Sequence, residues 1–319
     1  MIGVIGAGAF GTALAIALGS EGRPVTLWAR QPDQAQALQT TRKNAAHLPQ
    51  ATLPDPVLVS SDLARLAPCR ILLLAVPMQS LATFLHDNAS NLPDAALIAC
   101  CKGVDLATLQ GATAIIRASQ PQSTAGILTG PSFAADIASG LPTALTLAMD
   151  SPDSDRFQHQ LSTASLRIYR TTDIVGAELG GAIKNIIAIA AGVVIGAGLG
   201  DSARAALITR GFAEMQRLAL ALGARAETLT GLSGLGDLIL TCTSLQSRNL
   251  RYGIALGSGA TFDPGVTVEG VATARAVARL AQTLAIDMPV TRMVADLIDR
   301  KLPLDQAVRS LMSRPLKQE

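Results

Sequence analysis

The chain has 319 residues, of which 49% are hydrophobic and 16% are charged, and its formal net charge is +2. This length allows about two domains, and the composition predicts a compact folded protein and excludes extended disorder. The near-neutral charge and an aromatic content of 3% argue against a nucleic acid as partner.

The chain starts with a β-branched segment, Met1–Ile5, that is typical of a buried parallel strand. A G-x-G-x-x-G loop follows it, and the helix-like segment Thr12–Gly19 comes next. In such a loop Gly6 permits the tight turn, Gly8 lets the backbone approach a pyrophosphate, and Gly11 lets the helix pack on the sheet. The free N–H groups of the helix N-terminus favour phosphate binding. The sequence therefore predicts a dinucleotide-binding unit.

Strand-like and helix-like segments then alternate. Further strands are predicted at Pro24–Trp28, Arg70–Val76, Ala95–Cys100 and Gly126–Thr129, and helices at Met78–His86 and Leu106–Ala118. This alternation predicts an α/β Rossmann fold, with a doubly wound, mostly parallel sheet over residues 1–173.

The end of the second predicted strand bears on the choice of cofactor. Trp28-Ala29-Arg30-Gln31 offers an arginine and no acid, and Asp33 lies slightly further on. A carboxylate here would favour NAD, whereas Arg30 can bind a 2′-phosphate, so we predict NADP ahead of NAD. The alternative is that Arg30 stacks on adenine or faces solvent.

From Ile174 onward the pattern changes to long helical runs, such as Arg204–Leu222, Val271–Leu284 and Pro289–Leu297. We predict an all-α C-terminal domain over residues 174–319 that binds the substrate.

Lys184 lies in the apolar segment Gly180–Ile195 and is one of five lysines in the chain. Burying its ammonium group would be costly and would lower its pKa. The three histidines fall in no catalytic setting, so a desolvated lysine is the best candidate to exchange a proton with a substrate hydroxyl. The alternative is a lysine that extends its ammonium group to water.

Two further segments, Thr129–Ala134 and Gly231–Asn249, are rich in polar residues. Ser247-Arg248-Asn249 suits phosphate binding, because a planar guanidinium lies beside an amide. Other interpretations are that Asp237 and Ser132 cap helices, Asp237 the one starting at Leu238, and that Arg248 pairs with a surface acid.

The four cysteines form no C-x-x-C pair and no metal-binding spacing, so we expect reduced thiols in a cytosolic enzyme and no metal. The apolar run Ile186–Leu199 is too short for a typical membrane span and predicts a buried helix. The first residues show no basic segment of a signal peptide, so we expect a cytoplasmic protein.

Taken together, the motifs resemble those of bacterial NAD(P)-dependent glycerol-3-phosphate dehydrogenase. The matching segments are Gly6–Thr12, Asn44 with His47-Leu48-Pro49, Ala75-Val76-Pro77, Lys102-Gly103, Thr129–Ala134, Asp173–Asn185, Ala203–Gly211, Gly231–Asn249 and Val268-Glu269-Gly270. The resemblance implies interconversion of sn-glycerol 3-phosphate and dihydroxyacetone phosphate in a cleft between the two domains, for phospholipid synthesis. It also implies a homodimer.

By the same resemblance, Lys184 is the catalytic acid/base. The implied substrate-binding residues are Lys102, Gly130, Ser132, Lys184, Asn185, Asp237, Ser247, Arg248 and Asn249. The implied cofactor-binding residues are Gly6, Gly8, Ala9, Phe10, Gly11, Arg30, Lys102, Ala134, Arg248 and Glu269. Two lysines and an arginine around one small dianion would offset its charge, and their mutual repulsion would help to lower the pKa of Lys184.

The chain departs from the family pattern at four positions, namely Ser202 (usually Asn), Ile195 (commonly Asp), Cys101 (usually Ser or Thr) and Asp136 (Glu). Two other functions stay open at this point. One is a related NADP-dependent hydroxy-acid dehydrogenase, and the other is a non-catalytic NADP-binding sensor, which would not need Lys184 and Asp237.

Overall fold

The computed structural model describes residues 1–307. The strands are β1 (Ile2–Ile5), β2 (Val25–Trp28), β3 (Lys43–Asn44), β4 (Leu48–Thr52), β5 (Val57–Ser60), β6 (Ile71–Leu74), β7 (Ala96–Ala99), β8 (Ala125–Thr129), β9 (Thr143–Met149) and β10 (Leu166–Thr171). The helices are α1 (Ala9–Gly19), α2 (Pro32–Thr41), α3 (Met78–Asn88), α4 (Ala112–Ser119), α5 (Ala134–Ala138), α6 (Ser154–Leu161), α7 (Ile174–Gly196), α8 (Asp201–Ala221), α9 (Ala226–Thr230), α10 (Asp237–Thr243), α11 (Arg248–Ser258), α12 (Glu269–Thr283) and α13 (Pro289–Ile298).

Eight strands form one sheet in the order β10-β9-β8-β7-β6-β1-β2-β5. All neighbours in it are parallel except β8 and β9, which are antiparallel. From β1 the strands follow the chain order in two directions, to β2 and β5 on one side and to β6, β7, β8, β9 and β10 on the other. The prediction of a doubly wound, mostly parallel sheet is confirmed. Ligands bind such sheets where the order reverses, and the glycine loop after β1 lies at that point.

The sequence did not predict β3, β4, β5, β9 and β10, and one predicted helix is wrong in part. Leu106–Ala118 was expected to be helical, but α4 begins only at Ala112. In the preceding loop the Asp105 carboxylate accepts hydrogen bonds from the N–H groups of Ala107 (3.1 Å) and Thr108 (2.8 Å). An aspartate that binds nearby amides in this way competes with a helix for them.

From Ile174 to the end of the described residues at 307 the chain is helical, as expected, and this part is organised around α7. This helix is buried along nearly its whole length among α8, α10, α11 and α12. By length and composition it is the one helix in residues 1–307 that could cross a membrane, but 89% of its apolar window is buried inside the protein. A helix that is apolar on all sides belongs in a protein core, so the predicted buried helix is confirmed, although it ends at Gly196 rather than at Leu199.

Helices α7 and α11 meet at backbone distance through four glycines. A Cβ atom placed on Gly253 would overlap the carbonyl oxygen of Ile189, and one on Gly192 would overlap that of Leu250. Gly196 and Gly257 show the same crowding against the opposite helix. This contact fixes the position of α11, and therefore of the polar residues at its N-terminus, relative to α7.

Candidate active site

A cavity of about 660 Å³ lies between the carboxyl edge of the sheet and the helical half. Eleven of the predicted site residues line it, namely Ala9, Phe10, Lys102, Ser132, Ala134, Lys184, Asn185, Ser247, Arg248, Asn249 and Glu269. The cavity therefore brings together residues that are up to 260 positions apart, from Ala9 to Glu269. We call it the cleft.

The other predicted residues lie behind its walls or beside it. Asp237 is completely buried behind the two lysines, and the carbonyl oxygen of Gly130 accepts a hydrogen bond from Lys102 at 3.0 Å. Arg30 is exposed just after the end of β2. Gly6 and Gly8 lie between β1 and α1, and Gly11 lies in the first turn of α1.

The glycine loop has the geometry that a dinucleotide requires. Gly6 has a φ of +112°, and a Cβ there would lie 2.7 Å from the Ala75 carbonyl oxygen. A Cβ on Gly11 would overlap the Gly6 carbonyl oxygen, whereas the space around Gly8 is open. Helix α1 begins at Ala9 with no side-chain cap and no acidic residue in its first turn. Its amides are therefore available for the pyrophosphate of a nicotinamide dinucleotide, and these residues fit that cofactor.

Asp237 joins two lysines from different parts of the fold. Its Oδ1 accepts a hydrogen bond from Lys184 Nζ at 2.7 Å, and its Oδ2 accepts one from Lys102 Nζ at 2.6 Å. Lys184 also donates to Thr241 Oγ1 at 2.6 Å. Lys102 follows β7, Lys184 lies in α7, and Asp237 and Thr241 lie one turn apart in α10. One carboxylate thus holds two ammonium groups at the wall of the cleft.

The electrostatic setting of Lys184 lowers its pKa to about 8. Burial is the largest cause, since only 7% of the residue is exposed. Asp237 acts in the opposite direction, and the positive charge of Lys102 lowers the pKa further. A lysine near pKa 8 can both give and take a proton at physiological pH.

Two amides connect the helices around the cleft. Asn249 Nδ2 donates to Asn185 Oδ1 at 2.8 Å, and Asn249 Oδ1 accepts from the N–H of Gly270 at 3.0 Å. Asn249 in α11 is therefore bonded to both α7 and α12. Ser247 is the N-cap of α11, where its Oγ accepts from the N–H of Leu250 at 3.2 Å.

Glu269, at the start of α12, brings a carboxyl group to the cleft. Burial raises its pKa, while the positive charges of Arg248, Lys102 and Lys184 lower it, and the first effect is the larger. The side chain therefore lies among cations at the wall where α11 and α12 meet the sheet half.

The structure decides several alternatives that the sequence left open. Helix α10 starts at Asp237 itself, whose carboxylate binds the two lysines, so the capping interpretation of Asp237 is wrong. It is also wrong for Ser132, whose hydroxyl donates to the Gly130 carbonyl oxygen at 3.2 Å. Lys184 does not extend to solvent, and within residues 1–307 Arg248 has no ion pair with a surface acid.

Sequence reasoning missed other residues that the fold brings to the site, namely Thr241, His47, Phe133, Gln246 and Arg251. Thr241 lies four residues after Asp237, so helical spacing places both side chains on one face and could have identified it. His47 lies in the turn between β3 and β4, and no local pattern shows that this turn reaches the cleft.

Comparison with known proteins shows the family to which the chain belongs. Residues 1–155 match the model of the NAD-dependent glycerol-3-phosphate dehydrogenase N-terminus, and residues 173–309 match that of the C-terminus. The chain belongs to the NAD-dependent glycerol-3-phosphate dehydrogenase family. The resemblance inferred from its motifs is therefore confirmed.

Curated relatives of this dehydrogenase family cover the whole chain, and a solved structure covers nearly all of it. It is 63% identical to a glycerol-3-phosphate dehydrogenase (NAD(P)+) of Cereibacter sphaeroides over 100% of both chains. It is 56% identical to one of Paracoccus denitrificans, covering 100% of this chain and 99% of the relative. The crystal structure of a glycerol-3-phosphate dehydrogenase from Coxiella burnetii superposes with a TM-score of 0.93 at 36% identity, over 98% of each chain.

More distant structures share only the fold. A ketopantoate reductase from Ralstonia eutropha superposes over 97% of this chain and 100% of its own, with a TM-score of 0.63 and 16% identity. The two-domain plan therefore also occurs in a reductase of another substrate, and the plan alone does not fix the reaction.

Proposed function

We propose that this protein interconverts sn-glycerol 3-phosphate and dihydroxyacetone phosphate by hydride transfer with NAD(P)(H), and so supplies glycerol 3-phosphate for phospholipid synthesis. The observation that carries the proposal is the pairing of Lys184 with buried Asp237 at one cleft that also holds the glycine loop and Arg248. The family membership and the names of the curated relatives support it.

In the proposed mechanism Lys184 is the acid/base. The nicotinamide cofactor supplies the hydride for the reducing direction. As the carbonyl of the substrate is reduced, the ammonium group of Lys184 gives its proton to the oxygen, and in the oxidising direction the neutral amine takes the hydroxyl proton. Asp237 and Thr241 hold Nζ in place through their hydrogen bonds, so little reorganisation is needed when the proton moves.

The substrate phosphate is proposed to bind at Arg248 and Asn249, and Lys102 and Ser132 also line the cleft. The guanidinium can give two parallel hydrogen bonds to phosphate oxygens. Asn249 is held by Asn185 and Gly270, so its remaining donor capacity has a fixed direction. A phosphate dianion would be compensated by Lys102 and Arg248, which leaves Lys184 free for the reaction.

For the cofactor, we propose that the glycine loop with Ala9, Phe10 and Ala134 binds the dinucleotide, and that Arg248 and Glu269 reach it from the helical half. NADP is proposed as the preferred form, since Arg30 lies exposed just beyond β2 and can meet a 2′-phosphate. The relatives carry NAD(P)+ in their names, so both forms are expected to be used.

We also propose a domain boundary at residue 173, between a dinucleotide-binding domain (1–173) and a helical substrate domain (174–319). Residues 308–319 of the second domain lie outside the part of the chain that the structure describes. The last strand of the sheet ends at Thr171 and α7 begins at Ile174, which supports this position. A homodimer in the cytoplasm is the assembly and location that we propose. Light scattering coupled to size-exclusion chromatography tests the dimer, and cell fractionation tests the location.

The first experiment follows nicotinamide absorbance with the purified protein, dihydroxyacetone phosphate and NADPH, and then with NADH. Rapid oxidation with either supports the proposed reaction, and an Arg30→Ala variant that loses rate with NADPH but keeps it with NADH supports the role of Arg30. A panel of phosphate-free 2-keto acids tests the alternative dehydrogenase. Binding of NADPH without turnover of any of these substrates would favour the sensor.

A further inference from the structure

A second cavity, of about 600 Å³, lies between α12, α13 and the loop before α4. Its charged lining residues are Arg275, Arg279, Arg292, Lys301, Asp296 and Asp299. Leu106, Ala278 and Ala295 supply an apolar part of the wall. The volume is that of a pocket for a small molecule, and no residue of the proposed reaction lies in it.

The charges of this cavity are unequal, with four cations against two carboxylates. Asp299 is occupied by two of the cations, since it accepts from Arg275 Nε at 2.8 Å and from Lys301 Nζ at 3.0 Å. These contacts lower the pKa of Asp299 and keep it ionised. Asp296 is then the one remaining acid in the cavity, against Arg279 and Arg292.

The two remaining arginines are available to a ligand. Arg292 is exposed and has no ion pair within residues 1–307. Arg279 is also exposed, and its guanidinium gives one hydrogen bond, of 2.9 Å, to the Leu106 carbonyl oxygen. A guanidinium has five N–H donors, so this contact leaves most of them free. Two such forks at one cavity match the oxygens of a phosphate group.

We propose that this cavity is a second binding site, separate from the cleft, for a phosphate-bearing small molecule. Arg279 and Arg292 bind the phosphate, and the wall formed by Leu106, Ala278 and Ala295 contacts an apolar part of the ligand. The site goes beyond the proposed reaction, since its residues do not reach the cleft. Arg279 lies ten residues after Glu269, or about 15 Å along α12.

The second site lies against two elements that also reach the cleft, namely α12 and the loop between Lys102 and α4. Helix α12 starts with Glu269 at the cleft and carries Arg279, whose bond to Leu106 ties it to the loop that follows Lys102. The Lys102 backbone and the Lys102 charge both lower the pKa of Glu269, so the start of this loop lies beside the start of α12. A ligand at Arg279 would therefore contact both α12, ten residues after Glu269, and the loop, four residues after Lys102.

Calorimetric titration of the full chain with pyrophosphate tests the site. Pyrophosphate also fits the cleft, so the comparison is between variants that leave the cleft unchanged. We expect Arg292→Gln to weaken one class of sites by on the order of tenfold or more, from the loss of a charged hydrogen-bond partner. The double variant Arg279→Gln/Arg292→Gln should lose that class altogether.

The matched control is Arg65→Gln, which removes the same charge from an exposed turn of the sheet half. It should titrate like the unchanged protein. Equal titrations for Arg292→Gln and Arg65→Gln would overturn the proposal, because only overall charge would then matter. It would also fail if Arg248→Gln, which alters the cleft, abolished all pyrophosphate binding. The Arg292→Gln variant is expected to fold, because Arg292 is exposed and its replacement leaves the hydrogen bond between Arg279 and Leu106 intact.

Discussion

At the scale of single residues, the chemistry depends on three side chains that the fold gathers from distant positions. Asp237 is a buried carboxylate whose two oxygens are each taken by a lysine, at 2.7 and 2.6 Å. Removing one partner of a buried ion pair strongly destabilises the folded protein, because the other charge stays buried without compensation. The arrangement therefore holds Lys184 in one position and tunes its charge.

Lys184→Met should remove the proton donor while keeping a side chain of similar length. We expect turnover of dihydroxyacetone phosphate to fall by roughly 10²- to 10⁴-fold, the usual contribution of general acid catalysis. NADPH binding, measured by its fluorescence, should persist, because the glycine loop is unchanged. Lys43→Met, at an exposed position of β3, is the control. A Lys184→Met enzyme with full turnover would contradict the proposed mechanism.

The pKa of Lys184, lowered to about 8, predicts opposite pH dependences for the two directions. Reduction needs the ammonium form, so its rate should fall as the pH rises through about 8, while oxidation needs the amine and should become faster. Asp237 raises the pKa of Lys184, so Asp237→Asn should move both transitions to lower pH. Initial rates between pH 6 and 10 test this, and unmoved transitions in the variant would argue against it.

At the scale of elements, the contact between α7 and α11 determines where the first turn of α11 lies in the cleft. The glycines of this contact allow backbone to touch backbone, and α11 presents Arg248 and Asn249 from its first turn. A methyl group there has no room, because the obstacle is the opposite helix backbone rather than a flexible side chain.

Gly253→Ala should therefore destabilise the protein by about 1–3 kcal/mol or more through overpacking. It should also raise KM for the phosphate substrate more than it lowers kcat, since α11 is displaced from α7. Chemical denaturation and steady-state kinetics measure the two effects. Ser258→Ala, at an exposed position of the same helix, should change stability by no more than about 0.5 kcal/mol. Equal effects of the two substitutions would refute the packing argument.

Glu178 in α7 caps α4 across the boundary between the two halves, since its Oε1 accepts from the Thr113 N–H at 2.7 Å. Burial raises its pKa. A carboxyl group whose folded-state pKa is raised stabilises the fold at low pH, and this stability is lost as the pH rises through the folded-state pKa.

Glu178→Gln keeps the acceptor oxygen and removes the buried charge, so its stability at pH 7 should equal or exceed that of the unchanged protein. Glu178→Ala leaves the α4 amide unpaired and should cost about 1–3 kcal/mol. Urea denaturation at pH 5 and 7 separates the cases. If Glu178→Gln destabilised the protein as much as Glu178→Ala, the charge of the carboxylate would contribute more to stability than its hydrogen bond to α4.

At the scale of the whole molecule, the cleft is built from both halves of the chain. A ligand pair that fills it should stabilise the fold as a unit. Ligand at 100 times its Kd adds about 2.7 kcal/mol. NADPH with glycerol 3-phosphate cannot react, because both are reduced, so the two should raise Tm together by more than NADPH alone. Arg248→Gln should lose the extra shift, and an extra shift that survived in this variant would place the substrate elsewhere.

The sequence alone determined much of the fold, because its signals are local. The glycine loop, the buried strands and the long apolar helix each follow from neighbouring residues, and the family motifs predict that Lys184, Asp237 and Arg248 belong to one site. The strand Thr143–Met149 escaped notice because its antiparallel pairing with β8 is a tertiary choice. Of the four departures from the family pattern, Asp136 accepts a hydrogen bond from Gln246 at 3.3 Å.

Only the tertiary structure decided how these residues act. From its neighbours in the sequence Asp237 is interpreted as a helix cap, and the resemblance implies a substrate-binding role for it. The fold instead brings Lys102 and Lys184 from other elements to its two oxygens. The lowered pKa of Lys184 also follows from burial and from the positive charge of Lys102, 82 positions away along the chain, while Asp237, 53 positions away, acts against it. Contacts between residues so distant in sequence arise from packing, and packing is a property of the folded chain rather than of any local pattern.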